Sequence, residues 1–258
     1  MQLEYLDYLS PLGRHYRLTL AVPSEWAPEG GWPLACVLDE AQFQAVLAAV
    51  PGAAALHGAV LGVAYAQENW RDQDYTPGDP GEAGRADDFL VLLRDVFLPW
   101  AHGKARLDSQ RRLLCGHSLA GLFALYLLVR EPGLFQAMAV SSPSVWWGDA
   151  YLARLLAQPL PQAALSVPVS VTVGEYEQRL GPAEETLPEP AREQRRQRLL
   201  ERRMVDGARE LAQMLARQQG GSPQFRILPH CTHSTAGPTA LPQACLAWLR
   251  VQGNEERP

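Results

Sequence analysis

The feature that most constrains this 258-residue chain is the run LLCGHSLAGLFALYLL at residues 113–128. A short apolar strand passes straight through Gly116-His117-Ser118-Leu119-Ala120-Gly121 into an apolar helix. A serine at so sharp a turn adopts a strained backbone and needs small neighbours two positions to either side. Gly116 is one, and Ala120, small enough to let the helix approach, stands where a second glycine is usual. The turn would lift the Ser118 hydroxyl above the sheet edge. It would also offer the Leu119 amide, at the N-terminus of the new helix, to a developing oxyanion. A serine that merely caps a buried helix is the competing reading; the flanking strand and helix favour a nucleophile.

Around this turn the chain alternates between strand and helix patterns. Tyr16 to Pro23 alternates like an early half-exposed strand. Trp32 to Leu38, Gly58 to Tyr65, Arg111 to Cys115, Phe135 to Ser141 and Val167 to Val173 are short apolar runs of buried-strand type. Helix patterns begin near Phe43, Ala86, Leu119 and Tyr151, and a last one covers Ala240 to Val251 after a strand at Phe225 to Leu228. Alternation of this kind predicts one open, mostly parallel α/β sheet. Two segments stand apart: the polar loop from Glu68 to Asp88, and the Pro-, Glu- and Arg-rich stretch from Gln178 to Arg203. The second reads as a solvated loop running into an exposed helix, or as a flap beside a site at about 178–200.

Composition narrows the function classes. All but Lys104 of the 23 Lys and Arg residues are arginine, and the formal net charge is −5. An acidic balance argues against a nucleic-acid partner, and 47% hydrophobic residues argue against a disordered chain. The length suffices to bury one sizeable core without disulfides or metals. Cys36, Cys115, Cys231 and Cys245 lie far apart with no zinc-site spacing and read as small core residues. The first twenty residues lack a cationic start followed by an apolar run, and Leu113 to Val129 is too short and polar to span a bilayer. The expectation is a soluble, cytoplasmic protein without a membrane partner.

A serine hydroxyl needs a base held by a carboxylate, and after such a turn the chain order expected is serine, acid, histidine. His15, His57 and His102 precede the serine, and His117 lies within the turn, where its side chain should point away. His233 is therefore the candidate base, with His230 in reserve as a loop-tying imidazole. The acid should follow the strand ending at Val173, where Gly174-Glu175-Tyr176-Glu177 carries two carboxylates. In an extended chain both point the same way, and a turn at Gly174 breaks that equivalence. The position three residues after the glycine favours Glu177, with Glu175 as the alternative.

Several motifs in this order resemble the α/β-hydrolase esterase family that includes siderophore-hydrolysing enzymes acting on enterobactin-type trilactones. They are Leu12-Gly13-Arg14-His15-Tyr16-Arg17, Leu38-Asp39, Arg71-Asp72 with Asp74-Tyr75-Thr76-Pro77, and Gly116 to Gly121. Ser142-Pro143-Ser144-Val145-Trp146-Trp147, Val173 to Glu177 and His233-Ser234 complete the set. The resemblance implies an α/β-hydrolase fold, a mostly parallel central sheet with helices on both faces in three αβα layers, as one domain over residues 1–258. It implies Ser118 as nucleophile, His233 as base and Glu177 as acid, although some members work with a Ser–His dyad. It also implies a second oxyanion amide after an Asp-Gly pair; here the residues are Asp39-Glu40-Ala41, so Ala41 inherits the role and Glu40 replaces the permissive glycine. Arg71 resembles a segment over the site mouth, where its planar fork suits anionic or hydroxyl-rich ligands. Trp70, Trp146 and Trp147, with Tyr75 beside them, are candidates to stack on catechol-type rings.

The chemistry expected is covalent acyl transfer from a small-molecule ester, with a ferric siderophore as candidate substrate and no metal or organic cofactor implied. The same residues serve acyl transfer to an alcohol or thiol, or thioester hydrolysis of the formylglutathione kind. A non-catalytic binding protein that keeps the hydrolase shell is the rival from another class.

Overall fold

Apolar runs too short for helices become the buried middle of one eight-stranded sheet in the computed structural model, which describes residues 1–50, 56–78, 84–222 and 224–250. The strands are β1 (Gln2–Leu9), β2 (His15–Val22), β3 (Trp32–Leu38), β4 (Ala59–Tyr65), β5 (Leu107–His117), β6 (Ala137–Ser141), β7 (Val169–Gly174) and β8 (Phe225–Leu228). Their order is β1-β2-β4-β3-β5-β6-β7-β8. Only the β1–β2 and β2–β4 pairs are antiparallel; from β4 to β8 every pair is parallel. β3 and β6 are buried along their whole length, as strands covered on both faces must be.

The period of two along each strand splits the core into two layers. Leu34, Cys36 and Leu38 of β3 join a large cluster with Leu114, Phe89, Phe97 and Phe123. Ala35 and Val37 point the other way, into a smaller cluster with Phe43, Val46, Leu241, Cys245 and Leu249. The smaller cluster sits under α1 (Glu40–Ala48) and α10 (His233–Arg250). The larger is built from α3 (Ala86–Leu92), a π turn (Leu93–Phe97), α4 (Leu98–Lys104), α5 (Leu119–Arg130), α6 (Trp147–Leu156) and α9 (Met204–Gln219). A four-residue helix, α2 (Arg71–Asp74), and two more, α7 (Pro182–Glu185) and α8 (Glu189–Arg202), complete the described α-helices.

Two differences from the sequence pattern have physical causes. β1 carries no polarity alternation, because Leu3, Tyr5 and Leu9 lie on its exposed face; it pairs through its backbone with β2. α10 begins at His233 rather than Ala240, with Pro238 and Pro242 inside it. Interior prolines cost ~3 kcal/mol each, but Ala236, Gly237, Ala240, Leu241, Cys245 and Leu249 are all buried, and that packing overrides the local penalty. The charged stretch after Gln178 does run into an exposed helix, as its pattern suggests: α8 buries only Leu199 and carries ion pairs such as Arg195–Glu184 at 2.7 Å and Arg196–Glu193 at 2.7 Å. Residues 79–83 of the polar loop and residue 251 of the last helix pattern lie outside the described residues. Among the described residues no helix is long and apolar enough to cross a membrane.

Candidate active site

Strands β3, β5, β6, β7 and β8 run the same way, so the residues that follow them gather at one sheet edge: Asp39, Ser118, Ser142, Glu177 and His233. This is where an open α/β sheet collects its ligand-facing groups.

Ser118 links β5 to α5 with φ 61° and ψ −119°. A positive φ on a non-glycine residue costs of order 1–3 kcal/mol and persists only when the surroundings enforce it. Here the serine N–H donates to Ser141 O at 3.0 Å, and its carbonyl accepts from Leu122 N and Ser144 N at 3.0 and 3.1 Å. A Cβ on Gly116 would lie 2.2 Å from Ala120 O, so glycine is obligatory there. Ala120 itself is fully buried.

His233 Nε2 lies 3.0 Å from Ser118 Oγ, and its Nδ1 lies 2.6 Å from Glu177 Oε2. A carboxylate has no proton to give, so Nδ1–H donates and Nε2 is left to accept the serine O–H. Glu177 is only 2% exposed; its other oxygen accepts from Ser142 Oγ at 2.5 Å and from Gly174 N at 2.7 Å. Burial pushes this carboxyl up, but the hydrogen bond and charge of His233, with the Ser142 and Gly174 donors, hold it below the ordinary carboxylate value. The backbone turns at Glu175–Glu177 and separates the two acids. Glu175 accepts the His230 N–H at 2.7 Å and pairs with Arg179, so Glu175 and His230 tie the two loops together beside the Ser118–His233 pair.

His117 departs from its expected orientation. Its ring, nearly buried, lies 4.7 Å from the His233 ring at a 40° tilt. Burial, then the His233 charge, depresses it to about 4, so it stays a neutral face for the neighbouring imidazole.

The amides expected to stabilise an oxyanion stand at two helix starts on adjacent strands. Leu119 is the first residue of α5 and Ala41 the second of α1. The first amides of a helix have no intrahelical acceptor; in α1 the backbone bonds begin with Gln42 N and Phe43 N to Asp39 O. A cleft of about 400 Å³ opens here, lined by Asp39, Glu40, Ala41, Gln42, Arg71 and His117 among others. Glu40 causes no backbone difficulty, because the positive φ falls on Asp39 (φ 75°, ψ 134°) while Glu40 starts the helix. Its carboxylate accepts from Gln44 Nε2 at 2.7 Å.

The expected ring-stacking set is only partly assembled. Tyr75 is corrected outright: it is fully buried, edge-on to Phe89, and its hydroxyl donates to Asp39 at 3.3 Å, so no substrate can stack on it. Trp70 precedes α2 and lies under the Arg14 guanidinium at 5.2 Å. Trp147 packs edge-on against Tyr151 and the large core. Arg71 does reach the cleft, but Asp39 holds it at 2.9 Å. Burial raises the Asp39 carboxyl despite that partner. The sequence reading gave Ser142, the Asp39 carboxylate and the His117 ring no role at the site. No local spacing signals them, since Ser142 meets Glu177 across 35 residues.

Comparison with known proteins completes the description. Residues 10–213 match the family described as "Putative esterase". The chain is 34% identical over 139 residues to the siderophore enterobactin esterase of Emericella nidulans, across 51% of this chain and 45% of that protein. It is 25% identical over 169 residues to the ferri-bacillibactin esterase BesA of Bacillus subtilis, across 55% and 57% respectively. The matched part thus spans about half the length of these curated relatives. The solved siderophore hydrolase EstB from Aspergillus nidulans has a TM-score of 0.79 at 21% identity, covering 99% of this chain and 97% of that one. At that identity the likeness speaks for the fold alone.

Proposed function

The chain belongs to the family described as "Putative esterase" and has the α/β-hydrolase fold, and on that premise we propose that it is a serine esterase working through an acyl-enzyme. The observation that carries the reading is the continuous relay from Glu177 through His233 to Ser118, at 2.6 and 3.0 Å, on a strained strand-to-helix turn.

Ser118 Oγ attacks the ester carbonyl carbon while its proton passes to His233 Nε2. The carbonyl oxygen, now negative, is stabilised by the Leu119 and Ala41 amides. The intermediate collapses, the alcohol leaves with the proton from His233, and the acyl group remains on Ser118. A water gives its proton to His233 and attacks the acyl carbon; the acyl–Oγ bond then breaks, Ser118 Oγ takes the proton back from His233, and the acid is released. Glu177 keeps the imidazole in the tautomer that can accept and offsets the charge it acquires. The substrate class we propose is a siderophore ester, supported by the names of the two curated relatives.

The test is hydrolysis of p-nitrophenyl butyrate and of a catecholate trilactone, metal-free and iron-loaded, by wild type and Ser118→Ala. Loss of turnover to background, with an acyl mass adduct mapped to Ser118 in the wild type alone, is the expected result. Turnover that survives the substitution overturns the mechanism. Model-ester activity without trilactone cleavage overturns the substrate class only.

A further inference from the structure

We infer that Arg71 is a positioning residue, a strut that spaces the two amide-bearing turns of the oxyanion site, and not a substrate ligand; the inference rests on the esterase reading above. One nitrogen makes the link. Arg71 Nη2 donates to Asp39 Oδ2 at 2.9 Å and to the His117 carbonyl at 3.5 Å. Asp39 stands two residues before Ala41, and His117 two residues before Leu119, so the strut grips both turns at the same offset from the amide each presents.

Both turns are also strained. Ser118 and Asp39 have φ of 61° and 75°, and strain of this kind relaxes unless something pins it. The Asp39 backbone is fixed by its N–H to Val63 O at 2.9 Å, and its carboxylate by Arg71 and the Tyr75 hydroxyl. Arg71 in turn sits on a rigid base. It opens α2, whose last residue, Asp74, is completely buried and accepts from Arg14, from Tyr16 at 2.7 Å and from Tyr65 at 3.0 Å. A bidentate grip on an anion uses Nη2 together with Nη1 or Nε; in Arg71 Nη2 is already given to Asp39 and the His117 carbonyl, and the guanidinium lies over the Tyr75 ring at 5.8 Å.

A strut and a ligand fail differently. Displaced amides weaken the transition state, where the oxygen is fully negative, more than the ground state, so kcat falls and KM holds. A lost ligand for an anionic group raises KM for substrates bearing that group. The experiment compares wild type, Arg71→Met, Asp39→Asn and the double variant on neutral p-nitrophenyl butyrate and on anionic mono-p-nitrophenyl succinate. The strut predicts a fall in kcat of about 10²-fold for both single variants, equal on the two esters. KM should stay unchanged and the double variant should be no worse than either single. A KM rise confined to the succinate ester in Arg71→Met, with Asp39→Asn at wild-type kcat, overturns it. Should a single variant not fold, the double variant, which leaves no buried charge unpaired, decides alone: reduced kcat at constant KM supports the strut, and wild-type kcat overturns it. Ser118→Ala runs alongside. If it matches wild type, the esterase reading falls and the strut with it; if it is inactive, an adverse pattern at Arg71 sinks only the strut.

Discussion

Two carboxylates at the sheet edge that carries Ser118, buried Glu177 and half-buried Asp39, are treated in opposite ways. Glu177, after β7, is held below the ordinary carboxylate value although burial works against it. Asp39, after β3, is raised although an arginine sits 2.9 Å away. Glu177 receives an imidazole N–H, a hydroxyl and a backbone amide, one oxygen shared by two of them. Asp39 receives one guanidinium nitrogen and one long hydroxyl contact, and its backbone is strained besides. Burial costs a charge more than a single partner returns, unless further donors complete the shell. In the proposed mechanism Glu177, which has the fuller set of donors, is the carboxylate that must stay charged to orient a base. In the proposed strut Asp39, which has fewer, braces a turn, a task that needs direction more than charge.

That contrast can be broken most severely at Glu177. Glu177→Gln should lower kcat by about 10³–10⁴-fold, the scale seen when a base loses its tautomer-setting carboxylate, with KM little changed; a loss under tenfold would mean that a Ser–His pair suffices.

His117 offers the next largest effect, because it lies between the two sides, its ring against His233 and its carbonyl under Arg71. Its imidazole titrates near 4 in the folded chain against 6.5 ordinarily. Below about 6.5 the unfolded chain takes up a proton that the native one refuses, so this stability is present at neutral pH and drains away as pH falls towards 4. The total is roughly 3 kcal/mol. Glu177, being lowered, loses its contribution only below its ordinary 4.5, and Asp39, being raised, acts in the opposite sense. Urea unfolding at pH 7 and pH 5 should show the His117 slope in wild type and its absence in His117→Asn; equal slopes would dismiss it.

The smallest effect belongs to Glu175→Gln. This acid bonds the His230 amide and Arg179 at the surface, so kcat should change less than about threefold, the range of one exposed contact. A loss comparable to that of Glu177→Gln would overturn the division of labour between the two acids.

How much of this was legible beforehand differs by element. The buried strands and the turn at Ser118 announce themselves, because a run such as WPLACVL or the small residues around Ser118 act on their immediate neighbours. The start of α10 at His233 did not, since Pro238 and Pro242 argue locally against a helix that burial then enforces. Arg71 and Tyr75 looked like ligand-facing groups because polarity and aromaticity are visible in a sequence and direction is not. Tyr75 turned inward to the core, and Arg71 met Asp39 across 32 residues.

By itself, then, the sequence determined the alternating, mostly parallel sheet and the strained turn at Ser118. These follow from short-range sterics and from the periodicity of side chains. Only the tertiary structure decided that Glu177 and not Glu175 meets His233, that His117 lies against it, and that Arg71 pairs with Asp39 at the cleft wall. Those choices join residues up to 116 positions apart, His117 and His233, where the desolvation of each group, set by everything packed around it, selects the partner.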